Sequence, residues 1–467
     1  MKVYEGANIR NVALVGHSHA GKTSLVSALL HTAGATQRLG RVDEGSTTTD
    51  FDEEEIARQM SLTTSIGIAE YGKTKLNLLD TPGFNMFVHE AKLAMPAVEG
   101  VAVVVDGVSG VEVMTERVWE YANEFELPRV IIATRMDRER ADATRTMDSL
   151  TAAFGRSVVP AQLPIGSEKS LTGFVDLVKM KAFTYDMGGN GKGREGEIPA
   201  KMAEAAKSGH EALVEMIAEG NDALMEEFFE KGTIGEEHLV SGLREAIRDR
   251  RVFPVLYCSG LGNIGTDRVL EFLIEYLPAA TDRAPVKAMM KPNNGTPPTR
   301  KVADSEPCSM YVFKTVSDPF AGRISFFKVF SGVVKNDSTV QNYTRNSQEK
   351  LAHLSVMQGK NAIGVPELRA GDIGAIAKLR DTLTGDTLGD KASPIEYPQV
   401  SLPEPAITFA VEPKTRADED KLSNGIHKLM EEDPMLRFFR DEQTKEFLIA
   451  GTGQQHIEVV VSRLKKR

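Results

Sequence analysis

Apolar runs alternate with amphipathic segments over residues 8–277. Patterns with helical spacing, such as residues 24–30 and 115–126, separate apolar runs at residues 12–15, 76–79, 101–105, 130–133 and 252–257. Strands that are apolar at every position are typical of a parallel sheet covered by helices on both faces. The pattern therefore predicts an α/β domain with a mainly parallel sheet over residues 1–280.

The pattern changes after residue 278. Residues 291–299 are rich in proline and glycine and are predicted to form an exposed linker. Glycine and aspartate turns, without any long helical pattern, separate the short apolar segments that follow at residues 310–315, 323–330, 338–341 and 373–378. This spacing predicts a small β-barrel over residues 305–392.

A third domain is predicted over residues 403–467, after a second linker that carries four prolines within residues 394–405. Its elements are a strand, a helix, two strands and a helix, at residues 407–411, 418–431, 435–440, 447–449 and 455–465. This order is the split βαβ layout of ferredoxin-like domains, which normally ends with one more strand. We therefore expect an incomplete third domain, in a chain that is part of a longer protein. The predicted fold class is α/β, then β, then α+β.

Composition places the chain among ordinary soluble proteins. Its 467 residues are too many for a single hydrophobic core, which predicts several domains. Apolar residues make up 41% and charged residues 26% of the chain. The formal net charge of -10 does not favour binding to nucleic acid, because contacts with phosphate need Lys and Arg. A local basic face can still occur on a protein whose net charge is negative. No signal peptide, membrane span or close cysteine pair is predicted, and we expect a cytoplasmic protein.

The sequence GHSHAGKT at residues 16–23 follows the first apolar run and opens the first helical pattern. It matches the P-loop, GxxxxGK[ST], whose backbone N–H groups surround nucleotide phosphates; a chance glycine-rich turn is the alternative. Lys22 is predicted to bind the β- and γ-phosphates and to take part in catalysis, and the Thr23 hydroxyl to coordinate Mg²⁺. The predicted phosphate site comprises Gly16, His17, Ser18, His19, Ala20, Gly21, Lys22, Thr23, Ser24 and, from a later segment, Gly83.

Three further segments each follow an apolar run. Asp80, in DTPG at residues 80–83, is predicted to hold Mg²⁺ through water. Asp137, in TRMD at residues 134–137, can accept hydrogen bonds from N1–H and the exocyclic amine of guanine, a pair of donors that adenine lacks. Backbone N–H groups at Ser259 and Gly260 are placed to contact the base O6. Together these segments predict GTP or GDP as the ligand.

The order of these motifs resembles that of the translational GTPases and, among them, elongation factor G. That family carries an inserted subdomain in the interval between Asp137 and Ser259, and the charged, helical stretch at about residues 160–250 is similar to it. Later segments similar to the family are DPFAGR at residues 318–323, LTGDTL at 383–388, PEP at 403–405, EPKTRAD at 412–418, EDP at 432–434 and GTGQQHIE at 451–458.

The resemblance implies a GTPase that requires Mg²⁺ and binds the ribosome, through rRNA and ribosomal proteins. Elongation factor G couples GTP to the movement of tRNA and mRNA. A monomer that does not contact membranes is expected. The resemblance also implies that RQMS at residues 58–61 is the first switch, with Ser61 on Mg²⁺, and that Thr134 and Arg135 join Asp137 at the guanine base.

Three positions depart from the family pattern. Phe84 stands where the family has a histidine that places the attacking water, and losing such a group typically costs about 10²–10⁴ in rate. Compensation by His17, His19, His89 or the ribosome is the alternative. Gln59 replaces a glycine in the switch. Thr134 replaces an asparagine, at a cost of roughly 0.5–1.5 kcal/mol per lost hydrogen bond; we expect guanine selectivity to survive with weaker affinity.

Two functions therefore stand side by side: a GTPase stimulated by ribosomes, and a GTP-binding ribosome switch that hydrolyses poorly. A ribosomal protection protein of the tetracycline-resistance type shares the predicted domain order, and a P-loop ATPase or kinase is the more distant alternative. The acidic run at residues 52–55 is interpreted as a solvated, mobile segment.

Overall fold

The first domain is built around one sheet. The computed structural model describes residues 2–287, 299–318, 321–415 and 418–466. Of the linker predicted at 291–299, only residue 299 is among them. Residues 319–320 of DPFAGR and 416–417 of EPKTRAD also lie outside the described residues. The domain begins with β1 (Ile9–Val15), α1 (Lys22–Thr32), α2 (Glu53–Arg58), β2 (Ser65–Tyr71), β3 (Thr74–Asp80), α3 (His89–Ala94), β4 (Gly100–Asp106), α4 (Val113–Glu124), β5 (Arg129–Thr134), α5 (Ala143–Phe154) and β6 (Val158–Pro160).

An inserted subdomain follows β6. It contains β7 (Gln162–Ile165), β8 (Gly173–Asp176), β9 (Lys181–Thr184), β10 (Arg194–Gly196), α6 (Ala203–Ala218), α7 (Asp222–Lys231) and α8 (Glu236–Arg248). The four strands form an antiparallel sheet. The helical prediction for residues 160–250 was therefore wrong for the first part of that stretch. Each of these strands has three or four residues, too few for alternation to show in the sequence.

The chain then completes the first domain with β11 (Phe253–Tyr257) and α9 (Thr266–Tyr276). The sheet order is β2-β3-β1-β4-β5-β11-β6, and every pair is parallel except β2 with β3. This confirms the mainly parallel sheet. Alternate residues of β4 enter two separate apolar cores, one containing Val103 and the other Val104. Both faces are thus covered, and the carboxyl ends of the parallel strands meet at one edge.

The second domain is rich in β-structure. Its strands are β12 (Val286–Lys287), β13 (Thr299–Arg300), β14 (Ser309–Asp318), β15 (Gly322–Ser331), β16 (Val333–Lys335), β17 (Thr339–Asn342), β18 (Ser347–Lys350), β19 (Leu354–Gln358), β20 (Asn361–Gly364), β21 (Glu367–Arg369), β22 (Ile373–Ala377) and β23 (Thr387–Gly389). Eight of them form an antiparallel sheet in the order β18-β17-β23-β14-β15-β22-β19-β20. The small β-barrel predicted from the sequence is thus a β-rich domain built on one large sheet, whose end strands β18 and β20 do not pair with each other within the described ranges.

The third domain follows the predicted order. It contains β24 (Ile407–Val411), α10 (Glu419–Glu432), β25 (Arg437–Arg440), β26 (Phe447–Gly451) and α11 (Gln454–Lys466), with sheet order β24-β26-β25. In the described part of the chain, no helix has both the length and the apolar composition needed to cross a membrane. Cys258 and Cys308 are free thiols.

Two buried ion pairs join the first domain to the second. Lys75, on β3, donates to Asp372 at 2.7 Å, and Lys328, on β15, donates to Glu99 at 2.7 Å. All four side chains are 5% exposed or less. Burial lowers the pKa of Lys328 to about 8, against the opposing effect of the Glu99 charge. Because buried charges are tolerated only when paired, these contacts allow few orientations of the two domains.

Two asparagines connect the pairs into one network. Asn77 donates to Asn11 at 2.7 Å and to Asp372 at 3.2 Å, and Asn11 donates to Glu99 at 2.6 Å. Both asparagines are buried. The interface is therefore held by directional polar contacts that hydrophobic packing alone does not supply.

Replacing Lys328 with methionine is expected to destabilise the protein strongly. In the described part of the chain, the variant leaves buried Glu99 with a single ion-pair partner within 4 Å, Arg283 at 3.6 Å. Removing one partner of a buried pair typically costs about 3–5 kcal/mol. The measurement is the first transition in urea unfolding, followed by tryptophan fluorescence and circular dichroism.

The matched control is Arg194→Met, which breaks an exposed pair with Asp186 at 2.7 Å. Exposed pairs contribute little, so this variant should unfold with the parent protein. Equal decreases in the urea midpoint of the two variants would contradict a special role for the buried pair.

Candidate nucleotide-binding site

A cavity of about 380 Å³ opens at the carboxyl edge of the first sheet. Its volume lies within the range of pockets that hold small ligands. The predicted residues that line it are Ser18, His19, Gly21, Lys22, Thr23, Ser24, Ser61, Gly83, Thr134, Arg135, Asp137, Ser259 and Gly260. Segments far apart in sequence are thus brought together, mostly because they follow parallel strands that end at the same edge of the sheet.

Five predicted residues do not line this cavity: Gly16, His17, Ala20, Asp80 and Phe84. The carbonyl groups of Gly16, His17 and Ala20 accept hydrogen bonds from side chains that do line it. Asp80 is buried just behind the lining, next to Thr49. Phe84 instead packs in an apolar contact outside the cavity.

The Lys22 ammonium is held inside the P-loop. It donates to the carbonyl oxygens of Gly16 at 3.1 Å and His17 at 2.7 Å. Burial lowers the pKa of Lys22 to about 8, while the nearby charges of Asp80 and Asp50 oppose the shift. A Cβ atom on Gly83 would lie 2.3 Å from this nitrogen, so only glycine allows that backbone to approach so closely. The ammonium is thus a buried cation bonded to backbone carbonyls, with Asp80 and Asp50 as nearby charges.

Hydroxyl and carboxylate oxygens gather beside the P-loop. The Thr23 and Ser61 hydroxyls lie 3.1 Å apart, and Ser61 donates to Asp50 at 2.8 Å. Thr49 donates to one oxygen of Asp80 at 2.6 Å, whereas the other oxygen, Oδ1, is buried with no hydrogen-bond partner among the described residues. Thr49 and Asp50 belong to no motif, and sequence reasoning missed them.

This cluster fits Mg²⁺. Burial raises the pKa of Asp80, and burial together with repulsion from Asp80 raises the pKa of Asp50 to about 8. A divalent cation would compensate both charges and supply the partner that Asp80 Oδ1 lacks. No three His, Cys, Asp or Glu side chains of the described ranges form a metal cluster by themselves. Mg²⁺ is typically held by one or two carboxylates together with water and substrate phosphates.

At the opposite end of the cavity, TRMD is tied to the P-loop. The Thr134 hydroxyl donates to the carbonyl of Ala20, and to that of Val105 at 3.3 Å. Arg135 forms an ion pair with Asp106 and donates to the carbonyl of His19 at 2.8 Å. Thr134 therefore keeps a hydrogen bond to the P-loop.

The loop after β11 differs in one detail from the prediction. The Ser259 N–H donates to Ile264 at 3.0 Å, so it is not available to a base. Gly260 and Leu261 also line the cavity, and their N–H groups make no hydrogen bond within the described residues. Among the described residues, the N–H groups left without a partner at this end of the cavity are therefore those of Gly260 and Leu261, and that of Ser259 is not among them.

Phe84 packs into an apolar contact between domains. It adjoins a small core formed by Leu62 after the switch, Phe87, and Val459 on α11, with its ring centroid 6.5 Å from that of Phe87. Its position is therefore explained by packing of the switch against the third domain. The side chain supplies no group that can orient water.

Two of the three histidines proposed to compensate for Phe84 are held by contacts elsewhere. His17 accepts from the Met114 N–H at 3.3 Å and faces Glu112 at 3.5 Å. His89 is buried against the third domain, 3.7 Å from Asp433. His19 alone of the three lines the cavity, and its side chain is exposed.

The acidic run at residues 52–55 is not a mobile segment. Asp52 caps α2, and the run docks on the basic end of α11: Glu54 accepts from Ser462 at 2.6 Å and Lys466 at 2.9 Å, and Asp52 from Arg463 at 3.1 Å. The hydrogen bonds from Ser462 and Lys466 lower the pKa of Glu54 to about 2. The prediction was wrong because the complementary charges lie about 400 positions away in the sequence.

Other lining residues carry no sequence signal. They include Arg41, Val42, Asp43, Asp50, Arg138 and Leu261. Most lie in long connections whose path depends on packing against the rest of the molecule. Arg58, Gln59 and Met60 also line the cavity, as the resemblance to a switch implied.

Known proteins share this arrangement over almost the whole chain. The family models for the elongation factor Tu GTP-binding domain, elongation factor G domain 2 and elongation factor G domain III match residues 7–279, 307–391 and 402–467. A crystal structure of a protein from Thermus thermophilus is 33% identical, with a TM-score of 0.88, and covers 98% of this chain. This chain spans 66% of the length of that protein. The chain therefore belongs to the translational GTPases of the elongation factor G type.

Proposed function

We propose that the protein binds GTP and GDP with Mg²⁺ in the cavity at the sheet edge, and hydrolyses GTP while bound to the ribosome during a step of translation such as translocation. The observation that carries the proposal is the single cavity lined by Lys22, Thr23, Ser61 and Asp137. The buried cation matches the phosphates of a guanine nucleotide, and the two hydroxyls beside carboxylates match its metal ion. The carboxylate at the far end of the cavity matches the base. The proposed partners are rRNA and ribosomal proteins in the cytoplasm.

Each side chain has a defined role in this proposal. Lys22 neutralises the β- and γ-phosphates, and Gly83 brings a backbone N–H to the γ-phosphate. Thr23, Ser61 and Asp80 would hold Mg²⁺, which when bound stabilises the charge that develops on the phosphates. Asp137 accepts from guanine N1–H and the exocyclic amine, and Arg135 bounds the base pocket from the P-loop side.

A second candidate is a GTP-binding switch with little hydrolysis. The packing of Phe84 among Leu62, Phe87 and Val459 favours it, since the position that orients water in the family holds an apolar ring instead. The two candidates share nucleotide binding and differ only in turnover.

Phosphate release from GTP, measured with and without ribosomes, tests the proposal. We expect slow release from the protein alone and faster release with ribosomes. Bound GTP with no release in either condition would leave only the switch. Absence of GTP binding would overturn both candidates.

Replacing Phe84 with histidine is expected to raise single-turnover GTP hydrolysis by about 10²-fold, the lower end of the effect of a water-positioning group. Asn85→His is the matched control, because it adds a histidine to the adjacent exposed position. An unchanged rate in the Phe84 variant, with GTP still bound, would show that this position does not limit turnover. An equal rise in both variants would point to a non-specific effect of the imidazole.

Replacing Asp137 with asparagine should change the preferred base. The amide loses the charge-assisted bonds to guanine, which weakens GDP binding roughly a hundredfold, and gains a donor that matches the C2 carbonyl of xanthine. Competition between GDP and xanthosine diphosphate is the measurement. Asp142→Asn is the control, since Asp142 caps α5 by accepting from Arg145 at 2.9 Å, outside the cavity lining. Retained preference for GDP in the Asp137 variant would remove Asp137 from the base site.

A further inference from the structure

The loop between β11 and α9 has two faces. One face lines the nucleotide cavity with Ser259, Gly260 and Leu261. Within the loop, Ser259 and Ile264 form a bridge, and the Ser259 hydroxyl accepts from the Gly262 N–H at 2.9 Å. These short-range contacts fix the turn itself. They do not fix where the turn lies relative to the P-loop.

Asn263 makes the contacts that fix it. Its side chain is fully buried, and its backbone has a φ of 50°, a conformation that asparagine tolerates better than most residues. Its amide nitrogen donates to the carbonyl of Gly189 at 3.0 Å. Its amide oxygen accepts from Thr32 at 3.1 Å and from Thr266 at 2.8 Å.

These three partners belong to three different parts of the first domain. Thr32 is the last residue of α1, the helix that begins at the P-loop lysine, and Thr266 is the first residue of α9. Gly189 lies in the inserted subdomain, between β9 and β10. One buried amide therefore joins the phosphate-binding helix, the base-binding loop and the insertion.

Further hydrogen bonds hold the inserted subdomain next to the Asn263 amide. The Gly188 N–H donates to the Gly262 carbonyl at 2.8 Å, and the Gly193 N–H donates to Asp267 at 2.8 Å. At Gly191, with a φ of +76°, a Cβ atom would lie 2.1 Å from the Thr32 hydroxyl. The loop at residues 188–193 thus closes over the amide from the side opposite the cavity.

We propose that Asn263 is a positioning residue for guanine recognition, and that the inserted subdomain holds the base-binding loop in register with the P-loop through it. The proposal rests on the nucleotide binding proposed above. Its chemistry requires a neutral amide, because the position must donate to one neighbour and accept from two others. A carboxylate of the same shape can accept but not donate, and it would face the Gly189 carbonyl.

Two variants test the contact from its two sides. Asn263→Asp removes the donor to the insertion, and Gly191→Ala displaces the insertion from Thr32 and Thr266. Both should speed GDP dissociation about tenfold, as expected for the loss of one or two buried hydrogen bonds. Because they act on one network, the double variant should be much less than additive.

The matched control is Asn342→Asp in the second domain. Asn342 is also fully buried and bridges two segments, donating to the Thr382 hydroxyl at 3.1 Å and accepting from the Arg345 N–H at 3.0 Å, and it is not part of the cavity lining. It should lower stability without changing GDP dissociation. Dissociation is followed by displacement of a fluorescent GDP analogue from the full chain.

A second readout separates positioning from a general loss of stability. 6-Thio-GDP carries sulfur, a weak acceptor, in place of O6. The parent protein should prefer GDP to 6-thio-GDP, and the Asn263 and Gly191 variants should lose most of that preference. A purely structural defect would weaken both ligands by the same factor.

The outcomes are distinct. Faster dissociation with reduced discrimination at C6, in either variant, supports the proposal. Parent-like dissociation in both variants, or faster dissociation with full discrimination, overturns it. If Asn263→Asp does not fold, Gly191→Ala decides alone. If the parent chain binds no GDP, the proposed function fails and not only this inference.

Discussion

Charged side chains buried between the first and second domains constrain the rest of the structure. Lys75 with Asp372, and Lys328 with Glu99, are each paired across the interface. A buried charge left without its partner costs several kcal/mol, so the domains dock in the orientation that satisfies both pairs. That orientation also brings Gln358 of the second domain onto the edge strand β2, where its side chain accepts from the Ile68 N–H at 2.7 Å.

The docked domains enclose the segment that follows the P-loop. Asp50 and Ser61 stand on either side of α2, and both belong to the oxygen cluster beside Thr23. The acidic face of α2 binds α11 of the third domain through Glu54. Since one short segment carries both sets of contacts, the position of this oxygen cluster and the docking of the third domain are not independent. Phe84 adds an apolar contact at the same junction.

The loops that line the cavity are held in place by hydrogen bonds to other parts of the first domain. Lys22 is oriented by backbone carbonyls of its own loop, Thr134 ties the base motif to Ala20, and Asn263 joins the third loop to α1 and the insertion. All three contacts lie within the first domain. They set the positions of the P-loop, the TRMD segment and the loop after β11 relative to one another.

The sequence by itself determined the parallel sheet, the order of the three domains and the residues that stand at the strand ends. These follow from local rules: strands apolar at every position, a P-loop with fixed spacing, Asp80 at the end of β3 and Asp137 shortly after the end of β5. Tertiary structure alone decided which N–H groups remain free after Ser259, where Phe84 packs, and that the acidic run at residues 52–55 is docked. It also decided the roles of Thr49, Asp50 and Asn263. Each of those outcomes depends on partners distant in sequence, and periodicity and spacing carry no information about such pairings.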